Sequence, residues 1–187
     1  MTLYKNKYRI ESIRLPNHNY SSNGYYFVTI CTHQKFCYFG GIVNAQMQLS
    51  QVGKIAQKHW REIPEHFGCV YLDRYIIMPN HIHGIIVIDN ADNPRRDVAC
   101  YVSTEDRNIN QTMARLSPKS GSLSAIVRSY KSSVTRWCRQ NGDDEFRWQT
   151  RFYEHIIRDE RALNNIRRYI INNPAKWSED INYKTQG

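Results

Sequence analysis

Apolar positions along this chain recur with two different periods, and the switches between them mark its elements. "GYYFVTICT", Gly24 to Thr32, is rich in β-branched and aromatic residues and predicts a strand. "YFGGIVNAQMQLS" predicts a short hairpin that turns near Asn44 and Ala45. Ser50 then stands as N-cap before "QVGKIAQKHWREIPEHF", where Val52, Ile55, Ala56, His59, Trp60 and Ile63 keep helical spacing and predict a helix from Gln51 to about Ile63. "CVYLDRYIIMPN" and "HIHGIIVID" read as two strands joined by a Pro79-Asn80 turn. From Asn90 to Gly121 no period is sustained, and the many Asn, Asp, Ser and Pro residues predict a long loop.

Helical spacing returns in "SLSAIVRSYKSSVTRWCRQN", Ser122 to Asn141, with Leu123, Ile126, Val127, Tyr130, Val134, Trp137 and Cys138 in one stripe. After the "NGDDE" turn, "FRWQTRFYEHIIR" alternates enough to predict another strand, with Trp148 exposed beside Arg147 and Arg151. "DERALNNIRRYIINNP" predicts a last helix that begins near Asp159 and stops at Pro174. Without the small hairpin and the last helix the order is βαββαβ. That order implies an α+β fold, an antiparallel four-stranded sheet with two helices on one face and the other face open to a ligand or a further helix.

The 187 residues fit a single domain, 1–187, with a basic N-terminal arm at 1–23 and a loop insertion at 90–121. No apolar run is long enough to span a membrane, and the N-terminus lacks the apolar centre of a signal peptide, so a cytoplasmic protein without a membrane partner is expected. Five cysteines without CxxC spacing suggest neither a disulfide framework nor a zinc knuckle. A formal net charge of +9 favours an anionic partner, nucleic acid ahead of a membrane surface, although a basic enzyme of ordinary substrate would carry the same charge. On the 122–141 helix, Arg128, Lys131, Arg136 and Arg139 share the polar side with Ser132 and Thr135, and no acid interrupts them. Such a face suits phosphates, or is simply solvated.

The candidate chemistry lies in "YIIMPNHIHGIIVI". Strand side chains alternate faces, so His81 and His83 point the same way, roughly 7 Å apart along the backbone. Two neutral imidazoles on one face can clamp a divalent metal; the alternative is a polar pair on a solvated sheet face. On the last helix Tyr169 and Asn173 are four residues apart, on one face beside the stripe of Ala162, Leu163, Ile166 and Ile170. If that helix crosses the open sheet face, Tyr169 presents its hydroxyl beside the histidines and Asn173 offers a carbonyl oxygen. The result would be a mixed N/O site suited to Mg or Mn. The alternative is a core-edge tyrosine and an asparagine that merely ends a helix before Pro174.

"IIMPNHIHGIIVI" together with "FRWQTRFYEHIIRDERALNNIRRYIINNPAKW" resembles the REP-associated tyrosine transposases, within the single-tyrosine HUH superfamily, where HUH denotes His, a hydrophobic residue, His. The resemblance runs from Gly24 to Trp177 in the order of elements. It implies a ferredoxin-like βαββαβ sheet with an additional C-terminal helix carrying the tyrosine. It puts the histidine pair on His81 and His83, the nucleophile on Tyr169 and the third metal ligand on Asn173, where the insertion-sequence branch usually has glutamine. The implied activity is metal-dependent nicking and rejoining of single-stranded DNA at hairpins of palindromic repeats, by transesterification through a 5′-phosphotyrosine. Relatives act as monomers or as homodimers. Arg128, Lys131, Arg136, Arg139, Arg147 and Arg151 would then contact DNA phosphates and Trp148 an unpaired base. Tyr75 and Tyr130 compete as nucleophiles, but neither has a ligand-capable residue four positions on. A noncatalytic, domesticated nucleic-acid-binding module on the same fold is the alternative function.

Overall fold

The strand-forming segments pair into one four-stranded antiparallel sheet, whose centre is the most apolar of them. A computed structural model describes residues 19–90, 118, 121–180 and 182–183. The first eighteen residues of the predicted arm and nearly all of the predicted 90–121 loop lie outside the described residues. The sheet comprises β1 (Gly24–Cys31), β4 (Val70–Ile77), β5 (His81–Ile88) and β6 (Tyr153–Ile157), in the order β4-β5-β1-β6. This is the split βαββαβ order expected from the sequence. β2 (Gly40–Val43) and β3 (Gln46–Leu49) form a separate hairpin, and Asn44 and Ala45 at its tip take positive φ angles of 50° and 58°, as a tight hairpin turn demands.

Three side chains start the three long helices. Ser50 accepts from the Gly53 amide at the head of α1 (Gln51–Arg61), Ser122 from Ala125 at the head of α3 (Leu123–Gln140), and Asp159 from Ala162 at the head of α4 (Glu160–Asn172). The predicted 51–63 helix is divided: Pro64 has no amide hydrogen to continue the ladder, so α1 ends at Arg61 and a short α2 (Ile63–His66) follows.

α1 and α3 cover one face of the sheet, where Trp60, Tyr130, Val28, Ile82 and Ile86 belong to the larger core. α4 crosses the other face and packs Leu163 and Ile170 on Phe27, Ile85 and Ile157, with Ala162 and Ile166 beside them. The last helix thus occupies the open face, as the pattern implied. Its sequence neighbour β6 is shorter than expected. Only Tyr153–Ile157 is strand, and residues 146–152 form an irregular approach to it.

Candidate active site

β5 places His81 and His83 on the face that α4 covers. The β1–β5 register sets Thr29 opposite His83 and Cys31 opposite His81. The two imidazole centroids are 4.4 Å apart, and both side chains are buried. Each Nδ1 has a partner: Asn80 Oδ1 at 2.8 Å for His81 and Thr29 Oγ1 at 2.9 Å for His83. An amide oxygen only accepts, so His81 carries its proton on Nδ1 and directs the Nε2 lone pair into the site. Burial, followed by the neighbouring imidazole, holds the His81 pKa well below that of a free histidine, and burial likewise lowers that of His83. Both rings are therefore neutral, with lone pairs available, at physiological pH.

α4 brings in the tyrosine. Tyr169 is 44% exposed, and its hydroxyl lies 3.0 Å from His83 Nε2 across 86 residues of sequence. Phe27 stacks on His83 with centroids 5.4 Å apart and meets the Tyr169 ring edge-on at 6.1 Å, a wedge that fixes both rings. Arg167, two positions earlier, donates from Nε at 3.1 Å and Nη2 at 2.5 Å to Asp73 Oδ2, pinning α4 to the irregular step in β4 between Leu72 and Tyr75. The rival tyrosines are committed elsewhere. Tyr130 is buried and donates to Ala56 O, and Tyr75 accepts from Arg61.

Asn173, directly after α4, is buried, and its Oδ1 has no hydrogen-bond partner among the described residues. His81 Nε2 is orphaned in the same way. Buried acceptors left bare in this way are what a cation would satisfy. Asp180 was not foreseen from the sequence. A short 3-10 turn, Pro174–Glu179, returns the chain so that Asp180 Oδ2 lies 4.0 Å from Nε2 of both histidines, with ligand-capable atoms of all three residues within 4.8 Å. Burial pushes its carboxyl pKa up, but His83, the Asn182 amide, His81 and Asn173 outweigh this and hold it below the usual carboxylate range. Trp177, on the same turn, sets its ring 5.9 Å from that of His81. The donor set of paired imidazoles, an amide oxygen and a carboxylate is able to hold a divalent ion. No sequence signal was available for Asp180, because it follows α4 in a segment without periodicity.

The basic side chains fall into two groups. Arg128, Lys131, Ser132, Thr135, Arg136 and Arg139 line one groove of about 750 Å³ along α3, closed on its far side by Thr150 and Phe152. Arg128, Arg136 and Arg139 are exposed. Lys131 instead donates its ammonium to Gln149 O at 2.7 Å and Arg151 O at 3.0 Å, and burial lowers its pKa to about 8. Trp148 is not the exposed ring that the sequence suggested. Its indole donates to Lys131 O, and its ring packs among Phe39, Tyr130 and Phe146 because the irregular 146–152 segment folds it inward. Arg147 is exposed and turns Nη1 back onto the carbonyls of Asp144 and Phe146; Arg151 is exposed.

An antiparallel split βαββαβ sheet with a helix across its open face is the class of fold seen in a solved REP-associated tyrosine transposase bound to a REP hairpin. That structure superimposes with a TM-score of 0.57 over 88% of this chain and 74% of its own, at 17% identity. In sequence, the chain belongs to one family with an uncharacterized protein of Haemophilus influenzae, 42% identical over 92% of both chains. A second protein of that organism, provisionally described as a REP-associated tyrosine transposase, is 33% identical over 54% of this chain and 47% of its own length. No family model matches the chain. Among the described residues, no helix is long and apolar enough to cross a membrane.

Proposed function

We propose that the protein is a metal-dependent DNA strand transferase that nicks single-stranded DNA at hairpins of palindromic repeats and rejoins it through a 5′-phosphotyrosine on Tyr169. The observation that carries this reading is the Tyr169 hydroxyl at 3.0 Å from His83 Nε2, beside a second buried imidazole whose free nitrogen has no hydrogen-bond partner among the described residues. The Tyr169 oxygen forms a new bond to phosphorus and gives up its proton, while the 3′ oxygen of the adjoining nucleotide departs and takes one up. One phosphodiester replaces another, so rejoining needs no ATP.

Burial, and then the charge of Asp180, raises the Tyr169 phenol above the ordinary tyrosine range. The hydroxyl is protonated at neutral pH and a weak nucleophile unaided. His81, His83 and Asn173 would hold a Mg or Mn ion, which when bound supplies Lewis-acid polarisation of a nonbridging phosphate oxygen. Were His83 Nε2 to bind the ion, it would no longer be open to the Tyr169 hydroxyl, which would be free to meet the phosphate. The REP hairpin on the solved relative supports a hairpin substrate here. The acid-free α3 groove offers Arg128, Arg136 and Arg139 to its phosphates.

The test is incubation with labelled single-stranded hairpin DNA and Mn²⁺, read as a covalent adduct on a denaturing gel. Tyr169→Phe is expected to abolish the adduct while hairpin binding stays within a few-fold. Adduct formed by Tyr169→Phe would reject the assignment.

A further inference from the structure

Asp180 lies beyond the helix that carries Tyr169 and Asn173, yet its side chain is deeply enclosed: only 3% of it is exposed, between the two histidines. Three observations bear on its role. Its Oδ2 is 4.0 Å from both Nε2 atoms. Donors that share one ion at about 2.1 Å each lie no more than about 4.2 Å apart, so the three atoms surround a space that an ion would fill once the donors draw in by about 1 Å at most. The second observation is electrostatic. A ligating imidazole nitrogen and an amide oxygen are uncharged donors, so a divalent ion held by His81, His83 and Asn173 alone would keep its full charge among three buried side chains, which is costly without an anionic ligand. Third, Asp180 orients another candidate ligand. Its carboxylate can only accept, so the Asn173 amide presents Nδ2 to it at 3.1 Å, and this is what leaves Asn173 Oδ1 bare.

We infer that Asp180 is the anionic ligand of the divalent ion, and that through it the ion fastens the turn of residues 174–180 to the sheet. The inference rests on the reading of His81 and His83 as ion-binding residues. A carboxylate oxygen beside two imidazoles also biases the site toward Mn²⁺ or Mg²⁺ and away from softer ions, which prefer thiolate. Asp180 Oδ1 is already occupied by the Asn182 amide at 2.6 Å, so Oδ2 is the oxygen that turns to the ion. The turn is also held at this point by the Asn173–Asp180 hydrogen bond and by the Asn182 carbonyl, which accepts from Asn80.

The experiment is Mn²⁺ titration of the full chain by calorimetry without DNA, alongside amide hydrogen exchange of residues 175–183. Asp180→Asn keeps the shape and one acceptor oxygen for the Asn182 amide, and replaces the charged Oδ2, which faces Asn173, by a neutral NH2 group. It is expected to weaken Mn²⁺ binding by at least about tenfold, the scale on which the loss of metal-site interactions is felt. In the wild type, Mn²⁺ should slow exchange across the 175–183 segment, and in Asp180→Asn that protection should shrink. If His81→Ala loses Mn²⁺ while Asp180→Asn binds it as tightly as the wild type, the role given to Asp180 is overturned and the histidine site stands. A wild type that binds no Mn²⁺ overturns both. Wild-type exchange unchanged by bound Mn²⁺ overturns the fastening of the turn without recourse to any variant.

Discussion

The His81 ring is oriented by the residue before it. Asn80 is fully buried and its side chain makes three bonds, accepting from His81 Nδ1 at 2.8 Å and donating to Lys35 O at 3.0 Å and Asn182 O at 2.8 Å. It thereby fixes the tautomer and ties β5 to the segments on either side of the site. Asn80→Ala strands two carbonyls and one imidazole N–H in a dry region, so a loss of about 1–3 kcal/mol is expected, measured by urea unfolding. It should also weaken Mn²⁺ binding, since His81 is then free to protonate the wrong nitrogen. Tyr169 makes the opposite prediction. Its hydroxyl shares His83 Nε2 with any bound ion, so Tyr169→Phe should bind Mn²⁺ at least as tightly as the wild type. Calorimetry showing clearly weaker binding would make Tyr169 a ligand rather than a competitor.

At the level of elements, the position of β5 depends on a glycine. A Cβ on Gly84 would come within 2.3 Å of Trp60 Cζ2, because the fully buried indole of α1 lies directly over the strand one residue after His83. Gly84→Ala must displace either Trp60 or the histidine strand, and overpacking of this kind costs about 1–3 kcal/mol. Trp60→Phe removes the clashing ring atoms, and little hydrogen bonding is lost with the indole, whose Nε1 has no partner among the described residues. Gly84→Ala is therefore expected to cost less in the Trp60→Phe background than in the wild type, in thermal melts of the four proteins of the cycle. Equal costs in both backgrounds would mean that the strand, not the indole, gives way. On the opposite face, the Arg167–Asp73 pair sets how far α4 slides along the sheet, and so the reach of Tyr169.

For the whole molecule, the excess positive charge has a defined outlet in the α3 groove, where exposed Arg128, Arg136 and Arg139 have no acidic neighbour among the lining residues. Lys131 is of a different kind, since its ammonium already holds the approach to β6. Charge reversal should therefore be made at the arginines. Arg128→Glu with Arg139→Glu is expected to weaken binding of all single-stranded sequences alike and to reduce the log-log salt slope by about 0.7 for each phosphate that is no longer neutralised. Selectivity for one hairpin should survive. An unchanged slope in salt titrations would return the face to solvent.

What the sequence determined by itself is whatever depends on local period and local chemistry. Runs of β-branched, aromatic and other apolar residues bounded by turns defined β1, β4 and β5, helical spacing defined α1, α3 and α4, and the Asn44-Ala45 turn and the Ser50 cap are matters of a few adjacent residues. The HxH spacing required His81 and His83 to share a face, and the four-residue step required the same of Tyr169 and Asn173. The irregular segments were not legible in this way. Residues 146–152 alternate like a strand, yet the apolar ring of Trp148 gains more by joining Phe39, Tyr130 and Phe146 than by facing water, and no local pattern encodes that choice. Asp180 has an ordinary surface composition around it, and only the 3-10 turn after α4 carries it between two imidazoles nearly a hundred residues away in sequence. Tertiary structure alone decided these placements, because they come from burial and charge compensation between segments distant in the chain, which are energies of packing rather than of period.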